Sequence, residues 1–177
     1  MTRFLYFLSI SFFILGCSNH KKNGAAQSDK PLSKTHQQLD SLCSAYQRDY
    51  NNADNNSKNL IVTQYHHLLD NFLMDSLHGG IDSIRVTVDS VKQDDLTITT
   101  AFHTNNRIAF KYGLKFEKDI RSDWDSLYNF MKSLKVNSDT TLGFIYFGSH
   151  EINDPGDTSI PVFRFFAFPI PLNFGKK

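Results

Sequence analysis

The chain has 177 residues, of which 40% are hydrophobic and 21% are charged, so it is long enough for one domain of ordinary size. It carries 19 Lys and Arg residues against 18 Asp and Glu residues, for a formal net charge of +1. Because nucleic-acid binding requires a clear excess of positive charge, this balance excludes an electrostatic case for it, and we predict no nucleic-acid partner.

The first sixteen residues are typical of a secretion signal. Arg3 is the single charge, and an apolar run extends from Phe4 to Leu15. A positive start followed by a short apolar run is the pattern of a signal peptide. The run is too short for a transmembrane helix, which needs roughly 20 apolar residues. We therefore predict a signal peptide over residues 1–16.

The segment Ile14-Leu15-Gly16-Cys17 resembles the bacterial lipobox. The resemblance implies that the Cys17 thiol takes up a thioether-linked diacylglycerol and that cleavage follows before this residue. Each buried CH₂ contributes about 0.8 kcal/mol, so two or three acyl chains would anchor the protein to a membrane without spanning it. Ser18 follows, in place of the Asp that favours inner-membrane retention in enteric bacteria. We expect a lipid anchor in the outer membrane, facing the periplasm.

Residues 17–34 combine this Cys17 with a polar stretch rich in Lys, Ser, Gly and Ala. Such a composition cannot bury enough apolar surface to fold, so we predict a flexible tether.

Over residues 35–80 the sequence predicts a helical segment. Thr35 and Gln38 resemble a capping box, a second helix begins near Ser57, and Gly79-Gly80 ends it. The apolar residues at helical spacing are Leu39, Leu42, Cys43, Tyr46, Tyr50, Leu60, Ile61, Tyr65, Leu68, Leu69, Phe72, Leu73 and Leu77.

Cys43 has no intramolecular partner if lipid consumes Cys17, and we predict a buried, inert thiol.

From Ile81 onward, apolar residues recur at every second position instead of at helical spacing, which predicts β-strands. A helix with a Ser122-x-x-Asp125 cap signature and Trp124 follows the third strand. The loop 153–157 separates the last two strands, and prolines at 161, 169 and 171 bracket the fifth. The predicted strands are Ile81–Val88, Leu96–Phe102, Ile108–Phe116, Thr140–Phe147 and Val162–Phe168, with polar turns at Lys92–Asp95 and Asn105–Asn106.

This element order is that of an OB-fold. The segments DSIRVTVDSV (82–91) and LYNFMKSLKVNSDTTLGFIYFG (127–148) resemble predicted lipoproteins with a tRNA-anti-like OB domain, a family without an agreed activity. The resemblance extends from about Ile81 to Pro171. It implies an α+β fold, with N-terminal helices packed on a five-stranded antiparallel OB-like barrel over 81–177 and a helix between strands 3 and 4. The alternative is a helix-packed antiparallel sheet of cystatin-like or nuclear-transport-factor-like type.

Several polar residues are weak candidates for a metal site. His66 and Asp70 lie four residues apart on a predicted helix, beside His67, so two side chains share one face. Two ligands do not make a site, and His103 or His150 would complete one only if the fold brought them there. We predict no metal and no cofactor. The alternative function is a small periplasmic metal-binding protein or hydrolase that uses His66, His67 and Asp70.

Ser149 and His150 are adjacent in a predicted strand, so their side chains point to opposite faces and do not form a nucleophile–base pair. We therefore predict a non-enzymatic envelope lipoprotein that binds a protein, peptide or glycan, or holds an assembly together.

An Asp-Ser or Asp-Thr motif recurs along the chain and resembles the O-glycosylation sequon of Bacteroidetes envelope proteins. The hydroxyl would accept a sugar after export, although Asp-Ser is also common at helix caps and turns. The candidate acceptors are Ser41, Ser76, Ser83, Ser90, Ser126 and Thr140.

Overall fold

The computed structural model describes residues 31–94, 97–115 and 122–172. The predicted signal peptide, Cys17, most of the predicted tether, Leu96 and Phe116 lie outside these ranges, as does the side chain of Trp124. The elements are α1 (Lys34–Asn52), α2 (Lys58–Asp70), a π-helical turn (Asn71–Ser76), β1 (Gly80–Gln93), β2 (Thr97–His103), β3 (Ile108–Lys115), α3 (Ser122–Ser133), β4 (Asp139–Ile152) and β5 (Phe163–Ile170).

The five strands form a closed barrel in the order β1-β2-β3-β5-β4. This confirms the predicted α+β class and OB-like barrel, with α3 between the third and fourth strands, and excludes the open sheet. The barrel is mixed and not purely antiparallel, because β3 and β5 pair in parallel over Ile108–Lys111 and Phe163–Phe166. An odd number of strands cannot alternate in direction around a closed ring, so one pairing must be parallel.

Aromatic side chains occupy the barrel interior. The alternation of β2 and β3 directs Phe102 and Phe110 inward, and Phe144, Phe163 and Phe165 complete a set of five rings without solvent exposure. The rings of Phe110 and Phe144 stack with centroids 4.1 Å apart and an angle of 14° between their planes. Each such ring buries a large apolar area, so the interior is the main source of barrel stability.

The two long helices extend this core. Leu39, Cys43 and Tyr46 of α1 and Leu69 of α2 are buried in the same apolar cluster as the barrel residues. Cys43 is the buried thiol that the sequence predicts, and burial raises its pKa to about 11, which disfavours the reactive thiolate.

The apolar face of α2 is narrower than the sequence predicts. Leu60 and Leu68 are 60% and 47% exposed, whereas Tyr65, Leu69 and Leu73 are buried. These three buried residues, of which Leu73 lies in the π-helical turn, follow a single i, i+4, i+8 row, and the partly buried Ile61, Val62, Phe72 and Leu77 also pack against the core.

Local hydrogen bonding corrects the predicted start of α1. The helix begins at Lys34, and the N-cap is Ser33, whose Oγ accepts the His36 N–H at 3.1 Å. The predicted capping residue, Thr35, lies inside the first turn. The helix therefore includes the last residue of the predicted tether.

Two strands are longer than their alternation predicts. β1 continues through Lys92 and Gln93, which were predicted to form a turn, because both pair with β2. β4 continues to Ile152 beyond an irregularity between Tyr146 and His150, where Gly148 has φ +79°.

The ends of the last two strands also differ from the prediction. Phe147 of β4 is 61% exposed, although the sequence of this strand is apolar on both faces. Pro169 lies within β5 and does not bracket it, in a part of the strand that pairs with β4 and is beyond the β3 pairing. On its β3 side, this part of β5 has no partner strand, so no backbone donor is needed there and proline is tolerated.

Candidate functional site

A polar groove runs across the outer face of β1, β2, β3 and β5. It comprises two adjoining cavities of about 470 Å³ and 440 Å³, which share Asp89, Ala109 and Pro161 in their linings. We call it the outer groove. Its other lining residues include Ser90, Lys92, Thr99, Ala101, Phe102, His103, Arg107, Phe110, Lys111, Ser159, Ile160 and Arg164.

Strand register explains the shape of the outer groove. One row of paired residues runs Thr87, His103, Ala109, Arg164, and a second row runs Ser90, Ala101, Lys111, Phe166. Ala109 and Ala101 are the small members of these rows, so they form a low floor between longer side chains. The inward-facing neighbours on the same strands are core residues, and their packing fixes the position of the floor.

Arg107 holds one wall of the groove. It lies between β2 and β3 with φ +62°, and its guanidinium donates to three carbonyl oxygens of the β4–β5 loop. The Nη1–O distance to Pro155 and the Nη2–O distance to Ile160 are both 2.8 Å, and the third acceptor is Asp157. The backbone oxygen of Arg107 also accepts the Val162 N–H at 2.8 Å.

Around the groove, the acidic side chains are paired and two of the basic side chains are not. Asp89 accepts a hydrogen bond from Nδ1 of His103 or pairs with it as an ion, and Glu151 pairs with Arg164 at 2.6 Å. The side chains of Lys92 and Lys111 are exposed and have no ion-pair or hydrogen-bond partner within residues 31–94, 97–115 and 122–172. The charge that is not neutralised by a neighbour is therefore positive.

A second polar feature lies between α2 and β4, and we call it the histidine cluster: His66, Asp70, Tyr146 and His150. The His150 side chain is 4% exposed. Its Nε2 lies 2.8 Å from Nδ1 of His66, and its Nδ1 lies 2.6 Å from the Tyr146 hydroxyl and 3.5 Å from an oxygen of Asp70. Tyr146 and His150 lie four residues apart in β4, on either side of the irregularity, and strand alternation places both side chains on the same side.

A neutral His150 gives a hydrogen-bond partner to both of its own ring nitrogens and to the Tyr146 hydroxyl. The Tyr146 hydroxyl donates to Asp70 at 3.4 Å, so its oxygen can accept the His150 Nδ1–H. Nε2 of His150 then accepts the Nδ1–H of His66. We assign these hydrogen positions from the donor and acceptor capacities of the groups. The cluster is thus a directed hydrogen-bond chain that joins α2 to the barrel.

The structure brings together only part of the predicted metal-ligand set. His66, Asp70 and His150 meet, but His67 is exposed, and His103 lies at the outer groove beside Asp89. No group of three His, Cys, Asp or Glu side chains in the described ranges is arranged to hold a metal ion. Both ring nitrogens of His150 already have partners within hydrogen-bond distance.

The remaining candidate residues have different environments. Ser149 is exposed, whereas the neighbouring His150 is buried against Tyr146, as expected for opposite faces of a strand. The glycosylation candidates Ser41, Ser76 and Ser126 are exposed, and Ser83, Ser90 and Thr140 are partly buried.

Sequence reasoning missed Tyr146 and Arg107. No local motif marks either residue, because Tyr146 contacts Asp70 from 76 positions away and the carbonyl partners of Arg107 are 48 or more positions away along the chain. The floor of the outer groove did leave a signal, namely the small and polar residues Thr97, Thr99, Ala101 and His103 on the outward side of β2.

Comparisons with known proteins found no match among family models, curated proteins or solved structures. The function is therefore inferred from the chain's own residues. In the part of the chain that the structure describes, no helix is both long and apolar enough to cross a membrane.

The histidine cluster predicts that acidification destabilises the fold. Burial, with a smaller contribution from His66, lowers the pKa of His150 below its ordinary value of 6.5, although Asp70 opposes the shift. The unfolded chain therefore takes up the proton more readily than the native protein. The free energy of unfolding is fully retained above about pH 6.5 and falls as the pH drops below it. Urea unfolding at about pH 7.5 and about pH 5.5 measures this dependence.

His150→Gln should flatten that pH dependence, and a variant with the same slope as the wild type would contradict the assignment. His67→Gln is the matched control, because His67 is an exposed histidine of α2, next to His66 of the cluster. The residual slope is expected from His36, whose pKa is also lowered by burial.

Arg107→Gln should loosen the β4–β5 loop, because it removes a charged donor from three carbonyl oxygens. We expect a loss of about 2 kcal/mol in the free energy of unfolding, measured with urea. Hydrogen exchange at the Asn153 and Val162 amides should become faster. Arg48→Gln is the control, since the Arg48 side chain is 68% exposed, and equal effects of the two substitutions would refute the proposed role.

Proposed function

We propose that the protein is a membrane-anchored envelope lipoprotein, acylated at Cys17, that acts without catalysis and binds a protein, peptide or glycan in the outer groove. The observation that carries the binding role is the pair of exposed lysines, Lys92 and Lys111, beside a floor of small side chains. Their ammonium groups form no ion pair or hydrogen bond within the described ranges, so their charges are available to a ligand.

The barrel interior supports an external binding site. Phe102, Phe110, Phe144, Phe163 and Phe165 are fully buried at its centre and occupy the space that a ligand would need. Polar side chains converge instead on the outside, where the two cavities meet at Asp89 and Ala109.

The environments of the hydroxyl and imidazole groups support a non-catalytic role. Ser159 lies in the wall of the outer groove, but its hydroxyl donates to Asp157 at 2.6 Å within its own loop. His150, the buried imidazole beside Ser149, is bound by Tyr146 and His66. Neither serine is placed in a nucleophile–base pair by these contacts.

Lipid attachment predicts that Cys17→Ala abolishes incorporation of labelled palmitate and releases the protein from the membrane fraction. Cys43→Ala is the matched control, because Cys43 is the second cysteine of the chain and lies buried in the core. It should retain both label and membrane association. Equal labelling of the Cys17→Ala variant and the wild type would overturn the anchor.

Use of the outer groove predicts position-dependent crosslinking in cells. A diazirine amino acid placed at Ala109, in the floor, should give a discrete adduct with the ligand. The same group at Lys135, an exposed position between α3 and β4, should not. Similar yields at the two positions, or no adduct at Ala109, would contradict a binding role for the groove.

A further inference from the structure

The chemistry of the ligand can be inferred from the charges of the outer groove. Lys92 of β1 and Lys111 of β3 are exposed and have no ionic partner in the described ranges. The acids nearby are already engaged, Asp89 with His103 and Glu151 with Arg164. A ligand therefore meets an excess of positive charge, although the whole chain has a net charge of only +1.

The side chains that line the groove disfavour a ligand recognised by stacking. Phe102 and Phe110 are the aromatic members of the lining among the described residues, and both are fully buried beneath the floor. Phe166, which is partly buried, ends one row of residues on β5 outside the lining. Single-stranded nucleic acids need exposed rings along their path, and that path is occupied here by Ala101 and Ala109.

The dimensions of the groove fit a short extended chain. It crosses four strands, from Ser90 of β1 to Arg164 of β5. Neighbouring strands lie about 4.8 Å apart, so the distance across is about 14 Å, which an extended peptide covers with about four residues. The low floor gives room for a main chain, and the hydroxyls of Ser90 and Thr99 supply donors and acceptors along it.

We propose that the outer groove binds an extended peptide segment that carries Asp or Glu side chains, which pair with Lys92 and Lys111. This inference rests on the proposed use of the groove as a binding site. The lysines lie in different rows, since Lys92 pairs with Thr99 and Lys111 pairs with Ala101. Carboxylates spaced along an extended chain can reach both, and the ion pairs formed are solvent-exposed and sensitive to salt.

Binding of defined peptides to the full-length protein in detergent tests the proposal. The probe is a fluorescein-labelled octapeptide of alternating Glu and Ala, and its neutral match replaces each Glu with Gln. We expect the Glu peptide to bind more tightly than the Gln peptide, with an affinity that falls as salt is raised. The double substitution Lys92→Gln with Lys111→Gln should weaken binding by about three- to tenfold, the effect of two exposed ion pairs.

A second pair of exposed lysines provides the matched control. Lys34→Gln with Lys135→Gln removes the same total charge away from the groove and should leave the affinity within about twofold of the wild type. Lys111→Arg combined with Lys92→Arg keeps the charge and should retain binding. If the control pair weakens binding as much as the groove pair, or if both peptides bind equally, charge recognition in the groove is refuted.

Two further outcomes separate the ligand class from the site. If tetragalacturonic acid, a carboxylated oligosaccharide, binds more tightly than the Glu peptide, the ligand is an anionic glycan and the peptide proposal is wrong. If the Glu peptide does not bind while crosslinking at Ala109 still yields an adduct, the groove is a binding site for another ligand class. Absence of both signals removes the binding role itself.

Discussion

The parallel contact between β3 and β5 is the constraint on which the structure depends. A ring of five strands cannot be closed by antiparallel pairs alone, and four residue pairs, Ile108–Lys111 with Phe163–Phe166, provide the closure. Parallel neighbours cannot be joined by a tight hairpin, so the chain must leave β3, form α3 and β4, and return. Arg107 immediately precedes β3 and binds the loop that precedes β5, so one side chain holds together the two segments that enter this contact.

The closed ring links the core to the outer groove. Along β2 and β3 the residues alternate between the two faces, so Phe102 packs inside while Ala101 and His103 lie outside, and Phe110 packs inside while Ala109 and Lys111 lie outside. Packing of the rings therefore determines where the lysines and the small residues are held. A groove built on strands whose other face is fully buried is more rigid than one built on loops alone, and a rigid site binds with a smaller loss of conformational freedom.

The features that depend on local periodicity could be predicted from the sequence. Alternation identified β2 and β3, helical spacing identified the buried row that contains Cys43, and the order of elements indicated an OB-like barrel. Features that depend on distant partners could not. The continuation of β1 through Lys92 is decided by pairing with β2, and the meeting of His66 with His150 depends on how α2 packs against β4. Arg107 follows an Asn-Asn turn, and nothing in that local sequence indicates that its side chain binds a loop about fifty residues later. The closed barrel brings the two segments together, and sequence spacing does not reveal it.

The filled interior has a consequence for kinetics. Among the residues that the structure describes, the stacked rings of Phe110 and Phe144 and their neighbours fill the centre of the barrel, unlike the interior of barrels that enclose a small molecule. A guest that settles on the outside can arrive and depart without any strand separating from its neighbour. Its capture rate is then governed by diffusion and long-range attraction, and its residence time by the contacts it makes at the surface, with no slow opening step between them.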